Sequence, residues 1–477
     1  MSAPSTGRQL LVIGGGVGGY TAAIRAAREG FAVTLVESGA LGGTCLNVGC
    51  IPTKSLLHQA RQFRQCESLA HFGIDTAGLR PGIEAVMRTK DKAVTQLVRG
   101  IHSLVRQNRI ELVPGTGEFV APRTVRVRET GALFSPQLIV IASGSEPVLP
   151  PIPGHHLEGV ITSDAAVALK TLPRRVLIVG GGVIGVEFAQ IFSDFRVQVT
   201  VIEKLDRLLN EEDADIAEVL HTSLTRRGVE ISTGATVSAI RRLEGQLHVE
   251  FVDAQGSREA AVDVVLLAVG RKPRLQALAL DRAGIHVQAG AIVTDERCRT
   301  NVPGVYAVGD ARGGLLLAHK AAAEGECAVA DMAGRGWELG SRMIPRAVYT
   351  SPEVAAVGLT EREARAALPS LKVGRFPFSA SGKAITAGHA EGFVKVLADA
   401  VTDQIVGISM VGPDVTNLLG EATLAVQMEL TLPALMETVH AHPTLAEALM
   451  EAAHDAFDAG AIHLLPRQAA APPSVAA

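Results

Sequence analysis

The chain has 477 residues, 47% of them hydrophobic, with 49 glycines and only 4% aromatics. That length suggests about three domains, and the composition excludes a disordered chain, asking instead for a Val/Ile/Leu/Ala core of parallel sheets covered by helices. A net charge of −4 gives no electrostatic case for nucleic acid or an anionic membrane, and apolar runs such as 262–269 are too short to span a bilayer.

At the N-terminus, about seven polar or small residues precede the first strand. No signal or transit sequence fits there, so a cytoplasmic location is expected. Five cysteines in so long a chain do not make a disulfide scaffold. Cys66, Cys298 and Cys327 stand alone in the sequence and are expected as free thiols. The close pair Cys45 and Cys50 would, in a reducing cytosol, be catalytic or metal-binding rather than structural.

The first predicted strand, 10–13 (LLVI), runs into GGGVGG at 14–19, a helix-like stretch over 20–28, and a second strand, 32–36, that ends at Glu37. This is strand, GxGxxG, helix, strand and acid in order. Gly14 permits the tight turn, Gly16 lets a pyrophosphate approach the backbone, and Gly19 lets helix and strand pack closely. The helix N-terminus receives the phosphates and Glu37 the ribose.

Next comes GGTCLNVGCIPTK, residues 42–54. Four residues separate Cys45 from Cys50, wider than a common zinc knuckle, and no second pair of ligands completes a site. Residues 54–64 read as a helix. On an ideal helix, residues five apart rise by about 7.5 Å, whereas disulfides want Cα atoms roughly 4.4–6.8 Å apart. Closing a bond therefore requires the backbone around Gly49 to leave regular helix. Such a bond is more reducible than inert, and a helix N-terminus or Lys54 would stabilise a thiolate.

The nucleotide-binding unit recurs. A strand at 176–179 leads into GGGVIG at 180–185, and a strand at 197–202 ends at Glu203. Gly14 to Glu37 spans 23 positions, and so does Gly180 to Glu203. One GxGxxG is a weak signal; two with flanking strands and equally spaced acids are strong. Gly180, Gly182 and Gly185 repeat the three glycine roles. Glu203 suits the free 2′-hydroxyl of NAD and repels the 2′-phosphate of NADP, although Lys204 and Arg207 lie close by.

Near the C-terminus stands HPTLAE, residues 442–447. A lone histidine is usually structural, but a base needs an orienting partner, which Glu447 supplies in this pattern. The His442–Pro443 bond is a candidate for cis. The tail over 466–477 is low in complexity and expected to be disordered.

The segment 42–54 resembles the redox segment of the pyridine nucleotide-disulfide oxidoreductases, and most closely the branch that oxidises dihydrolipoamide. The likeness covers residues 10 to about 463. It includes TNVPGVYAVGD at 300–310, similar to a second FAD segment whose aspartate, Asp310, binds the ribityl chain. IASGS at 141–145 departs slightly, with Ser143 where the family often has Thr. The resemblance implies that Cys45 exchanges with substrate and Cys50 touches the flavin. It pairs Lys54 with Glu187 near the flavin; the residues alone leave open a surface lysine and a helix-face carboxylate. It places Gly144 and Ala318 with FAD, and Gly270 with NAD. His442 becomes the acid–base and Glu447 its support, while His440 has no role. Asp91-Lys-Ala93 resembles a lipoyl attachment motif, but a helix is expected over 83–104, so Lys92 reads as a solvated helix residue.

The expected fold is α/β: two Rossmann-like dinucleotide-binding domains plus a C-terminal α+β dimerisation domain. FAD would bind 1–150, NAD 151–274, with a return to the flavin over 275–344 and dimerisation over 345–465. The implied reaction is oxidation of protein-bound dihydrolipoamide through Cys45–Cys50 and FAD to NAD. A homodimer would work with lipoyl domains and the acyltransferase core of 2-oxoacid dehydrogenase or glycine-cleavage assemblies. The alternatives are another disulfide reductase of the family and a non-catalytic docking subunit.

Overall fold

The computed structural model describes residues 7–339, 344–457 and 460–465. The tail expected to be disordered, 466–477, lies outside the described residues. The chain forms two compact units, one of residues 1–202 with 235–340, the other of 203–234 with 341–477.

The first unit holds two parallel sheets. In one, β1 (Gln9–Ile13) pairs with β2 (Ala32–Glu37), which pairs with β3 (Glu111–Pro114); on its other side β1 pairs with Leu138–Ile141, and that strand with Val305–Ala307. The aliphatic run of β1 is explained by burial on both faces. Leu10 and Val12 pack in the cluster with Ala22, Ala26 and Val329, whereas Leu11 and Ile13 pack with Phe119, Val125 and Val127. The second sheet repeats this plan with Arg175–Val179 between Gln198–Ile202 and Val264–Leu267, and Val160–Thr162 beyond. An antiparallel meander follows, Thr236–Leu243, Gln246–Asp253 and Gly256–Val262.

Crossover helices begin at the glycine turns: α1 is Val17–Arg28, and its counterpart is Val183–Asp194. The expected helix start at residue 20 is three residues late, because the two Gly residues of Gly18-Gly19, read as turn formers, lie inside the first turn. Two further helices run α2 (Gly43–Asn47) and α3 (Cys50–Ser68). Helix α4 (Ile83–Gln107) carries Lys92 exposed on its surface, as expected.

The second unit is α+β. Its five-stranded antiparallel sheet runs in the order Arg346–Val348, Glu353–Gly358, Ile405–Gly412, Phe393–Asp399 and Leu371–Pro377. Helices Val415–Gln427 and Glu447–Ala456 close its core. Lys395 is only 1% exposed on a strand, and its ammonium lies 2.7 Å from Asp213, 3.0 Å from Asp215 and 3.1 Å from Glu361. Among the described residues, no helix is long and apolar enough to cross a membrane.

Candidate active site

Both glycine turns are built alike. Gly14 adopts φ 103°, where a side chain would also meet the Ala142 carbonyl oxygen at 2.2 Å. A Cβ on Gly19 would lie 1.8 Å from the Gly14 oxygen, so helix and strand touch there. Gly16 caps α1 in extended backbone and faces open space, its would-be Cβ finding nothing nearer than 3.8 Å. Gly180, Gly185 and Gly182 repeat all three situations, with 2.4 Å to the Ala268 oxygen, 1.9 Å to the Gly180 oxygen, and nothing within 4 Å. The open glycine at each helix N-terminus leaves space for a pyrophosphate to approach the backbone there.

The acids end their strands as expected. Glu37 accepts hydrogen bonds from the Gly15 and Gly39 amides at 2.5 and 2.7 Å. Glu203 follows directly on Gln198–Ile202 and accepts from the Leu205 amide at 2.7 Å. Arg207 is engaged elsewhere, donating to the Asn210 carbonyl at 3.0 Å and lying 3.6 Å from Asp206.

The cysteines sit where one helix stops and the next begins. After α2, Val48 (φ −138°, ψ 6°) and Gly49 (φ −126°, ψ −110°) leave helical geometry, and Cys50 is the first residue of α3. The helix therefore starts four residues before the expected 54, because Pro52 belongs in a first turn, where it lacks no needed donor. Both cysteines are free thiols, hydrogen-bonded to each other. The Cys45 hydrogen bond brings the Cys50 thiol down to about 7; burial opposes this and the Lys54 cation assists it. Cys45 is pushed up by the same hydrogen bond, then by burial. The pair thus has one preferred thiolate, Cys50, at a helix N-terminus.

Lys54 lies one turn along α3. Its ammonium is 2.9 Å from each carboxylate oxygen of Glu187, which is 3% exposed on Val183–Asp194. The alternatives, a surface lysine and a helix-face carboxylate, are thereby replaced by an ion pair between a half-buried lysine and a buried glutamate.

Arg271 has no motif to announce it, yet it organises the neighbourhood. It donates to Ser145 Oγ at 2.9 Å, to the Ser145 carbonyl at 3.0 Å, to Asp164 at 3.1 Å and to Thr44 Oγ1 at 3.4 Å, next to Cys45. Ser145 in turn donates to Asp310 at 2.5 Å. The hydroxyl of Ser143 is buried without a hydrogen-bond partner. Gly144 has φ 70° with open space where a side chain would stand, as has Gly270 at φ 110°, and Ala318 begins the helix Ala318–Met332. An orphaned hydroxyl, an open glycine and a fixed aspartate fit a large polar ligand.

In the second unit, His442 Nδ1 lies 2.9 Å from Glu447 Oε1, and the His442–Pro443 bond is cis. Burial raises the Glu447 carboxyl, but the Thr444 amide and His442 together bring it below its ordinary range. The His442 ring is 79% exposed, so its other nitrogen is presented outward. His440 is occupied differently, lying 2.8 Å from Glu421 and 2.8 Å from the Thr438 carbonyl.

A family model described as pyridine nucleotide-disulphide oxidoreductase matches residues 8–325, and that family's dimerisation domain matches 344–453. The chain belongs to the pyridine nucleotide-disulphide oxidoreductases. Curated relatives named dihydrolipoyl dehydrogenase are similar over almost all of it. One from Thermus scotoductus is 43% identical over 96% of this chain and 99% of its own. One from Bacillus subtilis is 39% identical over 96% and 100%, and a mitochondrial one from Schizosaccharomyces pombe 37% identical over 95% and 91%. Among solved structures, LpdA from Mycobacterium tuberculosis superposes with a TM-score of 0.86 at 26% identity, covering 94% of this chain and 99% of that one. The HOCl-induced flavoprotein disulfide reductase RclA from Escherichia coli gives 0.83 at 30%, with 94% and 99% covered. As a member of this family the chain uses FAD and NAD(H), and the two glycine turns and the Ser143–Gly144–Asp310 cradle fit such dinucleotides. The dimerisation-domain match supports a homodimer.

Proposed function

We propose that this oxidoreductase is a dihydrolipoamide dehydrogenase that prefers NAD and oxidises lipoyl groups carried by the cytoplasmic 2-oxoacid dehydrogenase or glycine-cleavage assemblies. One observation carries the reading: a dithiol with one low-pKa sulfur beside the Lys54–Glu187 ion pair, in a chain that also holds an outward-facing His442–Glu447 dyad. Near-full-length likeness to proteins named dihydrolipoyl dehydrogenase supports it.

In the oxidised enzyme Cys45 and Cys50 form the disulfide. His442, held by Glu447, takes a proton from a substrate thiol. The thiolate attacks Cys45, the S–S bond breaks, and Cys50 departs as the thiolate its environment favours. The substrate's second sulfur then attacks the first, displacing Cys45 and leaving substrate as the cyclic disulfide. Bound FAD and NAD would supply, respectively, the acceptor for the dithiol's electron pair and the final hydride acceptor. Gly14, Gly16, Gly19, Glu37, Gly144, Asp310 and Ala318 hold FAD, with Lys54 and Glu187 near it. Gly180, Gly182, Gly185, Glu203 and Gly270 hold NAD. The domains are read as FAD at 1–150 and 275–344, NAD at 151–274, and dimerisation at 345–465.

Steady-state assays test both halves. Dihydrolipoamide should be oxidised far faster than glutathione, with ping-pong kinetics, because the enzyme itself stores electrons between half-reactions. Equal turnover in glutathione disulfide reduction places the chain in another branch. NAD should be preferred over NADP, and Glu203→Arg should shift the preference toward NADP; comparable kcat/KM for both nucleotides in the unmodified enzyme contradicts the assignment.

A further inference from the structure

Two cysteines outside the proposed active site come together in the first unit. Cys298 occupies a loop at φ 65°, and Cys327 lies within the helix Ala318–Met332; both are fully buried. Arg312 Nη1 donates to Cys298 Sγ at 3.3 Å and to Glu324 Oε1 at 2.9 Å, one helical turn before Cys327. Cys327 Sγ lies 3.1 Å from the Trp337 carbonyl oxygen and 3.8 Å from that of Glu296, two residues before Cys298. The two thiols also hydrogen-bond to one another.

We propose that Cys298 and Cys327 are a second dithiol, which a small organic hydroperoxide closes to a disulfide. The cluster is asymmetric in the way such chemistry needs. Arg312 donates to the Cys298 sulfur, which favours its thiolate, whereas Cys327 donates its own S–H to the Trp337 carbonyl and stays a thiol. Cys298 is therefore the nucleophile. Its thiolate attacks the hydroperoxide, the O–O bond breaks, one oxygen stays on sulfur as a sulfenic acid, and the other leaves, protonated, as the alcohol. The Cys327 sulfur then attacks that sulfenic acid, the S–O bond breaks, and water departs. Two thiols lose two electrons and two protons, and the hydroperoxide becomes alcohol and water. The new bond ties the loop around Cys298 to the helix and removes the sulfur acceptor from Arg312.

Full-length, FAD-loaded protein carrying Cys45→Ser, Cys50→Ser and Cys66→Ser retains only this pair, since the chain has five cysteines. It is treated with tert-butyl hydroperoxide, a small uncharged probe suited to covered sulfurs, then denatured and alkylated. Labels per chain should fall from two to none. Digestion after glutamate should release the Cys298 and Cys327 peptides joined and lighter by two hydrogens. Trp337 is the only tryptophan and its carbonyl accepts from Cys327, so its emission should change on the same time course and return with dithiothreitol. Adding Cys327→Ala, or Cys298→Ala where that variant does not fold, should abolish the reversible emission change. Two labels remaining after peroxide, oxidised but unlinked cysteines, or an emission change that survives loss of one partner each overturn the proposal.

Discussion

Cys50 and Lys54 show how single side chains set the chemistry. With the Cys45 thiol donating to it, Cys50 titrates near 7, and the Lys54 cation contributes in the same direction. In reduced enzyme, peptide-resolved alkylation of Cys50 should accelerate as pH rises through about 7, as the thiolate replaces the thiol. Lys54→Met removes a cation that favours the thiolate and leaves the Glu187 carboxylate, which disfavours it, so the midpoint should move up. An unchanged midpoint would show that Lys54 does not act on this sulfur. These roles are half legible in the sequence. The Cys pair and Lys54 announce themselves by spacing, but Glu187 sits in an ordinary helix segment 133 positions away. Only the packing of α3 on that helix makes it a partner. Arg271 is the opposite case: its four acceptors come from three separate segments, so nothing local could have singled it out.

At the level of elements, the two glycine turns perform the same task by the same contacts. Gly185→Ala would drive a Cβ to 1.9 Å from the Gly180 oxygen and push the helix off its strand. Holoenzyme with this change should keep its flavin and raise KM for NAD by roughly tenfold or more, a cost of about 1.4 kcal/mol. Loss of flavin with unchanged NAD binding would show that the two turns are assigned the wrong way round. The second unit offers an element-level test of stability. Lys395 brings a strand together with Asp213, Asp215 and Glu361, and the cation is almost wholly buried. Lys395→Met leaves these carboxylates without their shared cation and should cost about 3–5 kcal/mol in urea unfolding. A midpoint matching wild type would mean that the acids relax to water. No periodicity marks Lys395, because a strand lysine normally faces solvent and its three acids are distant in sequence.

For the whole molecule, the question is which chain supplies His442 to which cysteine pair. The family's dimerisation domain and the outward-facing dyad support a site shared across two subunits. Mixing the inactive variants Cys45→Ser and His442→Ala, after dissociation and reassociation, discriminates. In a shared site each heterodimer has one doubly damaged and one intact site, and half of randomly paired dimers are heterodimers. Activity should then return to about a quarter of wild type. If each chain serves itself, every site carries one lesion and activity stays at the mutant background, with mass confirming that the dimers had exchanged.

The sequence by itself determined the α/β class, the two nucleotide turns with Glu37 and Glu203, the redox segment and the His442–Glu447 pair. Each is written within one short stretch: glycines at a strand end, an acid after the next strand, two cysteines around a helix break, a histidine five residues from its carboxylate. Such features need only local backbone geometry to exist. What the tertiary structure alone decided depends on residues far apart in the chain, whose meeting no spacing encodes. Cys298 and Cys327 looked like isolated thiols because a loop and a helix had to pack before their sulfurs could meet. Arg271, the Lys54–Glu187 ion pair and buried Lys395 belong to the same class. Their electrostatics arise from burial, which exists only once the sheets and helices have closed over them.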